Sequence, residues 1–265
     1  MAVRGRCSAD LLCAALFILP LAVMAADPSP IEPSARRSGF DSMSPPVQAM
    51  QLDDRRNPAM LWLAEGRSLW TRIPDTGAPS CAQCHGPVDV LRGVATRFPR
   101  YDARLGQAIN LGQRIALCRD RHQKLPAWAP QHPDAIALEV LVAHASRGLP
   151  LQPDPDPRLD ETSRLGERLF RQRFGQLNLS CAQCHDQRAG SLLGGTVIPQ
   201  GHATGYPIYR LEWQGMGTLQ RRLRSCLSGV RAEPFAYGSR ELVALELHLA
   251  RRAAGMPLET PAVRP

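Results

Sequence analysis

Hydrophobic positions recur at helical spacing in separate stretches of the chain. From Pro58 onward, Met60, Leu61, Leu63, Leu69 and Trp70 fall on the face of one helix. Leu138, Leu141 and Val142 form a second such face within 137–147, and 244–252 repeats that face. Gly148 and Gly255 follow as helix C-caps, with Pro150 and Pro257 beyond them. Strand-like alternation is scarce. The pattern predicts an all-α fold.

The pattern also occurs twice. Gly66-x-x-Leu69-Trp70 matches Gly166-x-x-Leu169-Phe170, and Arg114-Ile-Ala-Leu-Cys118 resembles Arg222-Leu-Arg-Ser-Cys226. The run from Ala137 to Pro150 matches the run from Ala244 to Pro257. These offsets are 100, 108 and 107 residues, which places a short insertion early in the second unit. Internal duplication explains the order. The joint falls at 149–158, where Pro153, Pro155 and Pro157 forbid a continuous helix. The expected units are 56–152 and 153–265. Residues 27–55, rich in Pro, Ser, Asp and Arg, read as an extended N-terminal arm that serves as a linker or wraps over a neighbour.

The first 26 residues read as a secretory signal. Arg4 and Arg6 precede an apolar run from Leu11 to Ala26 that ends in small residues. That run is short against the ~20 residues of a membrane span, and Cys13 lies too early in it to mark a lipidation site. Export to the periplasm is therefore expected, with no membrane span in the mature chain. Cleavage removes Arg4, Arg6 and Asp10, leaving the charge one unit below +8. Lys124 is the only lysine, so anion contacts fall to guanidinium groups, which suit two-oxygen recognition. Nucleic acid is not an expected partner of an exported chain with this chemistry, despite a pI near 9.4.

Chemistry enters with Cys81-Ala-Gln-Cys84-His85 and its copy Cys181-Ala-Gln-Cys184-His185. C-x-x-C-H attaches c-type haem: two thiols bond the porphyrin and the histidine binds iron. A zinc or redox C-x-x-C is the competing reading, and two identical copies in an exported chain weigh against it. Two covalently bound haem c groups are expected, on Cys81 and Cys84 and on Cys181 and Cys184, with His85 and His185 on iron. The units then become tandem cytochrome-c-like domains.

Each iron needs a second ligand or an open site. The first unit offers Cys118, His122, His132 and His144, and the second Cys226, Met216, Met256, His202 and His248. Only Cys118 and Cys226 occupy matching places, which makes them the economical pair. A Cys118–Cys226 disulfide is the alternative, and Met216 remains a second candidate for the second iron. Cys226 also sits among Arg221, Arg222, Arg224 and Arg231, with no carboxylate between them. Such a run favours thiolate and gathers anions, unless it is only a solvated basic face.

The stretches Phe174–Asp186, Tyr209–Gln214, Arg221–Pro234 and Glu246–Arg264 resemble the SoxA family, the dihaem subunits of periplasmic thiosulfate-oxidising cytochromes. The resemblance implies an L-cysteine S-thiosulfotransferase that joins thiosulfate to a cysteine of a SoxYZ carrier. It implies a SoxX-type monohaem partner and a cytochrome c electron acceptor. Cys226 matches the family's active-site cysteine, a haem ligand often found as a persulfide, and Arg222 its substrate arginine. Arg231 is a further candidate anion contact. Cys81, Cys84, His85 and Cys118 place the chain with members that keep both haems, the Cys118 haem being a relay or a remnant. The competing activities are a dihaem thiosulfate dehydrogenase forming tetrathionate and a plain electron-transfer cytochrome; a peroxidase would need an open iron.

Overall fold

Two packed helix pairs make the frame. The computed structural model describes residues 31–265 together with Met1 and Ala2, so the signal reading lies outside the described residues. Element α1 spans Pro45–Leu52, α2 Met60–Thr71 and α3 Cys81–His85. The hairpin β1 (Arg100–Asp102) and β2 (Gln107–Ile109) follows, then α4 (Leu111–Gln123) and α5 (Pro133–His144). The second unit repeats this order. It runs through α6 (Asp160–Arg171), α7 (Cys181–His185), β3 (Leu192–Leu193), β4 (Thr196–Val197), β5 (Ile208–Arg210), β6 (Gly215–Gly217), α8 (Leu219–Gly229) and α9 (Arg240–Arg252), and ends with β7 (Ala262–Arg264).

Helix α2 packs on α5, and α6 on α9, through apolar stripes that bury Leu63, Leu69, Leu138 and Leu141 in one unit and Leu169, Phe170, Leu242 and Leu245 in the other. Burying such a side chain is worth roughly 1.5–3 kcal/mol. A glycine sets each crossing. A Cβ on Gly66 would lie 2.3 Å from the Ala137 carbonyl oxygen, and one on Gly166 would lie 2.0 Å from that of Ala244.

The units share more than a linker. Tyr209 and Met216, on the second unit's β5–β6 hairpin, pack into the first unit's core, while Ala108 of β2 packs with Val243 and Leu247 of α9. At the pseudo-symmetric centre, Pro150 bridges Pro257, and backbone hydrogen bonds join Gly148 to Leu258 and Leu151 to Met256.

Two features differ from the sequence expectation, and a third accords with it. Strands exist, but they are only two or three residues long, too short for alternation to show. The β3–β4 hairpin accounts for the insertion after the second haem motif. The arm is not wholly extended: Pro45 and Pro46 begin helix α1, because a missing N–H costs nothing in the first turn. Nor does the arm reach away from the chain. Gln51 accepts from the Val263 amide, Asn57 donates to the Pro261 carbonyl, and Arg36 donates to that of Ala254. Among the described residues no helix is long and apolar enough to cross a membrane.

Candidate functional site

Each Cys-Ala-Gln-Cys-His run forms one short helix held by a capping box. The Ser80 and Ser180 hydroxyls accept from the Gln83 and Gln183 amides, and the glutamine side chains accept in return from the serine amides. The middle glutamine therefore builds the turn that presents both thiols.

In the first unit, Cys81, Cys84 and His85 line one wall of a cavity, and Cys118 on α4 lines it too. Trp70, Leu111, Ile115, Leu138 and Val142 supply apolar sides. His85 lies 5.8 Å from Trp70, ring to ring. His122, one turn beyond Cys118, lines the same space; its counterpart in the second unit is Val230. His132 instead caps α5 and stacks on Trp128, and His144 sits at the end of α5, off this cavity.

In the second unit, Cys181, His185 and Cys226 line one cavity with Phe170, Leu223, Leu245 and Leu249. His185 Nδ1 lies 2.8 Å from the Pro199 carbonyl oxygen, which fixes that nitrogen as the donor and leaves Nε2 free to ligate. Gly201, at φ +72°, presses on the same ring: a Cβ there would lie 3.1 Å from His185 Cγ. Burial pushes the Cys226 thiol up, but the neighbouring His185 ring and the charges of Arg222 and Arg210 outweigh it, leaving the thiol below its ordinary value. Burial drives the Cys181 thiol up to about 12 and also raises that of Cys81.

Met216 does not serve the second cavity, because it is buried in the first unit's core. Met256 packs at the pseudo-symmetric centre and His248 packs on Phe170, whereas His202 lines the second cavity with its Nδ1 2.9 Å from the Arg37 carbonyl oxygen. No disulfide joins any of the six described cysteines, and Cys118 and Cys226 line different cavities, which argues against the disulfide alternative.

The arginine run divides. Arg222 lines the cavity beside Cys226. Arg221 donates to the Met216 carbonyl and lies over Trp213 at 4.1 Å, and Arg224 donates to the Phe235 carbonyl and lies over Tyr237 at 4.6 Å. Both are held in structural roles. Arg231 is exposed on the turn after α8, at φ +58°, and does not line the cavity. Two cavity arginines escaped the sequence reading, Arg210 on β5 and Arg264 on β7. Arg264 is already paired with Glu259 at 2.5 Å. The Cys118 side is also basic: Arg100, Arg104, Arg114 and Arg121 line a cleft that reaches it. Two of these are neutralised, Arg114 by Asp102 at 3.2 Å and Arg100 by Asp154 at 3.1 Å.

Both cavities fit covalent haem. Each short helix carries two thiols and an imidazole, and each cavity has apolar sides for a porphyrin and a sulfur donor from a second helix; both thiols line the first cavity, while Cys181 lines the second and Cys184 follows one turn later on its helix.

Comparison with known proteins agrees with this geometry. A family model described as SoxA/TsdA, cytochrome c domain, matches residues 65–151 and 165–258. The L-cysteine S-thiosulfotransferase subunit SoxA of Rhodovulum sulfidophilum is 36% identical over 86% of this chain and 80% of its own length. The same subunit from Pseudaminobacter salicylatoxidans is 32% identical over 93% of this chain and 87% of its own. The crystal structure of SoxXA from P. pantotrophus superposes with a TM-score of 0.84 at 30% identity, covering 87% of each chain.

Proposed function

The chain belongs to the SoxA family, as a cytochrome c subunit of an L-cysteine S-thiosulfotransferase with two covalently bound haem c groups, and on that premise we propose that Cys226 and Arg222 carry its chemistry. Cys81 and Cys84 would attach the first haem, and His85 and Cys118 would hold its iron. Cys181 and Cys184 would attach the second, with His185 and Cys226. The carrying observation is that Cys226, His185 and Arg222 line one cavity.

Arg222 holds the sulfonate oxygens of thiosulfate by charge-assisted hydrogen bonds. The sulfane sulfur then forms an S–S bond with the sulfur at Cys226, and two electrons leave. When bound, haem supplies the one-electron acceptor that makes this oxidation possible. A carrier cysteine thiolate attacks the sulfane sulfur, the S–S bond to Cys226 breaks, and Cys226 leaves with the electron pair of that bond. The product is a carrier S-thiosulfonate. His185 keeps its Nδ1 proton on Pro199 throughout.

The finer setting follows the relatives. The P. pantotrophus protein was solved as SoxXA, which supports a SoxX-type monohaem partner here. The electrons go to cytochrome c, the carrier is of SoxYZ type, and the compartment is the periplasm.

The test supplies the purified complex with thiosulfate, carrier and oxidised cytochrome c, and weighs the carrier by mass spectrometry. Wild type and Cys118→Ala should load the carrier cysteine with thiosulfate, while Cys226→Ala should not. Loading by Cys226→Ala at the wild-type rate would refute the assignment; tetrathionate formed in place of the loaded carrier would favour a thiosulfate dehydrogenase.

A further inference from the structure

The duplication places an arginine one turn before each ligand cysteine, Arg114 before Cys118 and Arg222 before Cys226. It also places the β1–β2 and β5–β6 hairpins at equivalent positions, since each strand register recurs 108 residues later. Asp102 of β1 thus corresponds to Arg210 of β5. In the first unit Asp102 pairs with Arg114 at 3.2 Å and cancels its charge. In the second unit the same position adds a charge, and Arg210 and Arg222 line one cavity without a buried carboxylate between them.

Arg210 is built for a ligand. Its side chain is only 14% exposed, and its Nε is buried with no hydrogen-bond partner among the described residues. Its one ion pair, to Glu212 at 3.1 Å, is with a carboxylate whose side chain is 61% exposed and therefore contributes little. It lines the same cavity as Arg222 and Cys226. A buried guanidinium N–H without an acceptor keeps its desolvation penalty, and an oxyanion removes it.

We propose that Arg210 is the second arm of an oxyanion clamp with Arg222, and that replacement of the first unit's aspartate by arginine here is what makes the second cavity the anion-binding one. This rests on the Cys226 reading for its place in the reaction. Two oxyanions share the needed chemistry, the sulfonate of thiosulfate and a haem propionate.

The test uses the haem-loaded complex with Arg210→Asp, which restores the pairing the first unit already folds with, Arg210→Lys, which keeps charge and loses the fork, and Glu212→Gln as the ion-pair control. Thiosulfate binding is measured by calorimetry without carrier, and the second haem's midpoint potential is followed against pH. A sulfonate in the clamp predicts at least tenfold weaker binding in Arg210→Asp, partial recovery in Arg210→Lys, an unchanged Glu212→Gln, and a potential–pH curve of unaltered shape. A propionate in the clamp predicts binding within twofold of wild type and a new pH-dependent step in the potential. If neither quantity moves in Arg210→Asp, the clamp is refuted. Wild-type complex that binds thiosulfate through Arg210 yet never loads a carrier would sink the transferase reading and leave the clamp standing.

Discussion

His185 Nδ1 sits 2.8 Å from the Pro199 carbonyl oxygen, while Gly201 closes on the same imidazole from the other end of that loop. The His185 ring is thus oriented by backbone. Gly201→Ala would need a side chain at φ +72° and a Cβ 3.1 Å from the ring. We expect a loss of about 1 kcal/mol or more and a displaced imidazole. Haem attachment should persist, because the thiols are untouched. Thermal unfolding and the absorption spectrum of the second haem check this; a spectrum and melting temperature identical to wild type would contradict it.

The helix crossings are a separate test of the frame. Gly166→Ala puts a methyl group 2.0 Å from the Ala244 carbonyl oxygen, and Gly66→Ala one 2.3 Å from that of Ala137. Either must separate packed helices, at a cost of about 1–3 kcal/mol. Urea unfolding should show it, whereas an exposed control such as Gly195→Ala, with nothing within 4 Å, should stay near wild type.

A carboxylate pair, Glu246 buried and Glu139 half-buried, should make stability pH-dependent. Burial pushes Glu139 up to about 8, helped by the nearby charge of Glu246, and pushes Glu246 up to about 7 against hydrogen bonds from Asn110 and Gln220. A raised folded-state value means that the native chain binds more protons than the unfolded one between the ordinary carboxylate range and about pH 7–8. Stability is therefore fullest at the acid end of that window and declines as pH rises through it, by up to ~1.4 kcal/mol per pH unit for each group. Glu139→Gln should flatten the decline between pH 5 and 8. An unchanged slope in unfolding experiments would rule out the pair as its source.

The readable and unreadable parts divide by distance along the chain. Cys81-x-x-Cys84-His85 and its copy carry their meaning within five residues, and the repeat exposed Cys118 and Cys226 because duplication preserves order. The helix faces were readable because α2, α5 and α9 each bury a continuous stripe. Arg210 was not, since a three-residue strand carries it to the cavity from outside the arginine run of α8. Arg221 and Arg224 misled for the converse reason: they share a short run with Arg222, but helical rotation and nearby aromatics turn them elsewhere. Helix α1 was hidden because Pro45 and Pro46, read as breakers, sit at its first turn.

The account rests on sulfur chemistry at Cys226, not at Cys118. The most direct measurement is peptide mass spectrometry of the haem-loaded protein after exposure to thiosulfate, with and without a thiol reductant. The predicted result is added sulfur on the Cys226 peptide, removed by the reductant, with the Cys118 peptide unmodified. An adduct on Cys118, or an unmodified Cys226 in a preparation that loads the carrier at full rate, would contradict it.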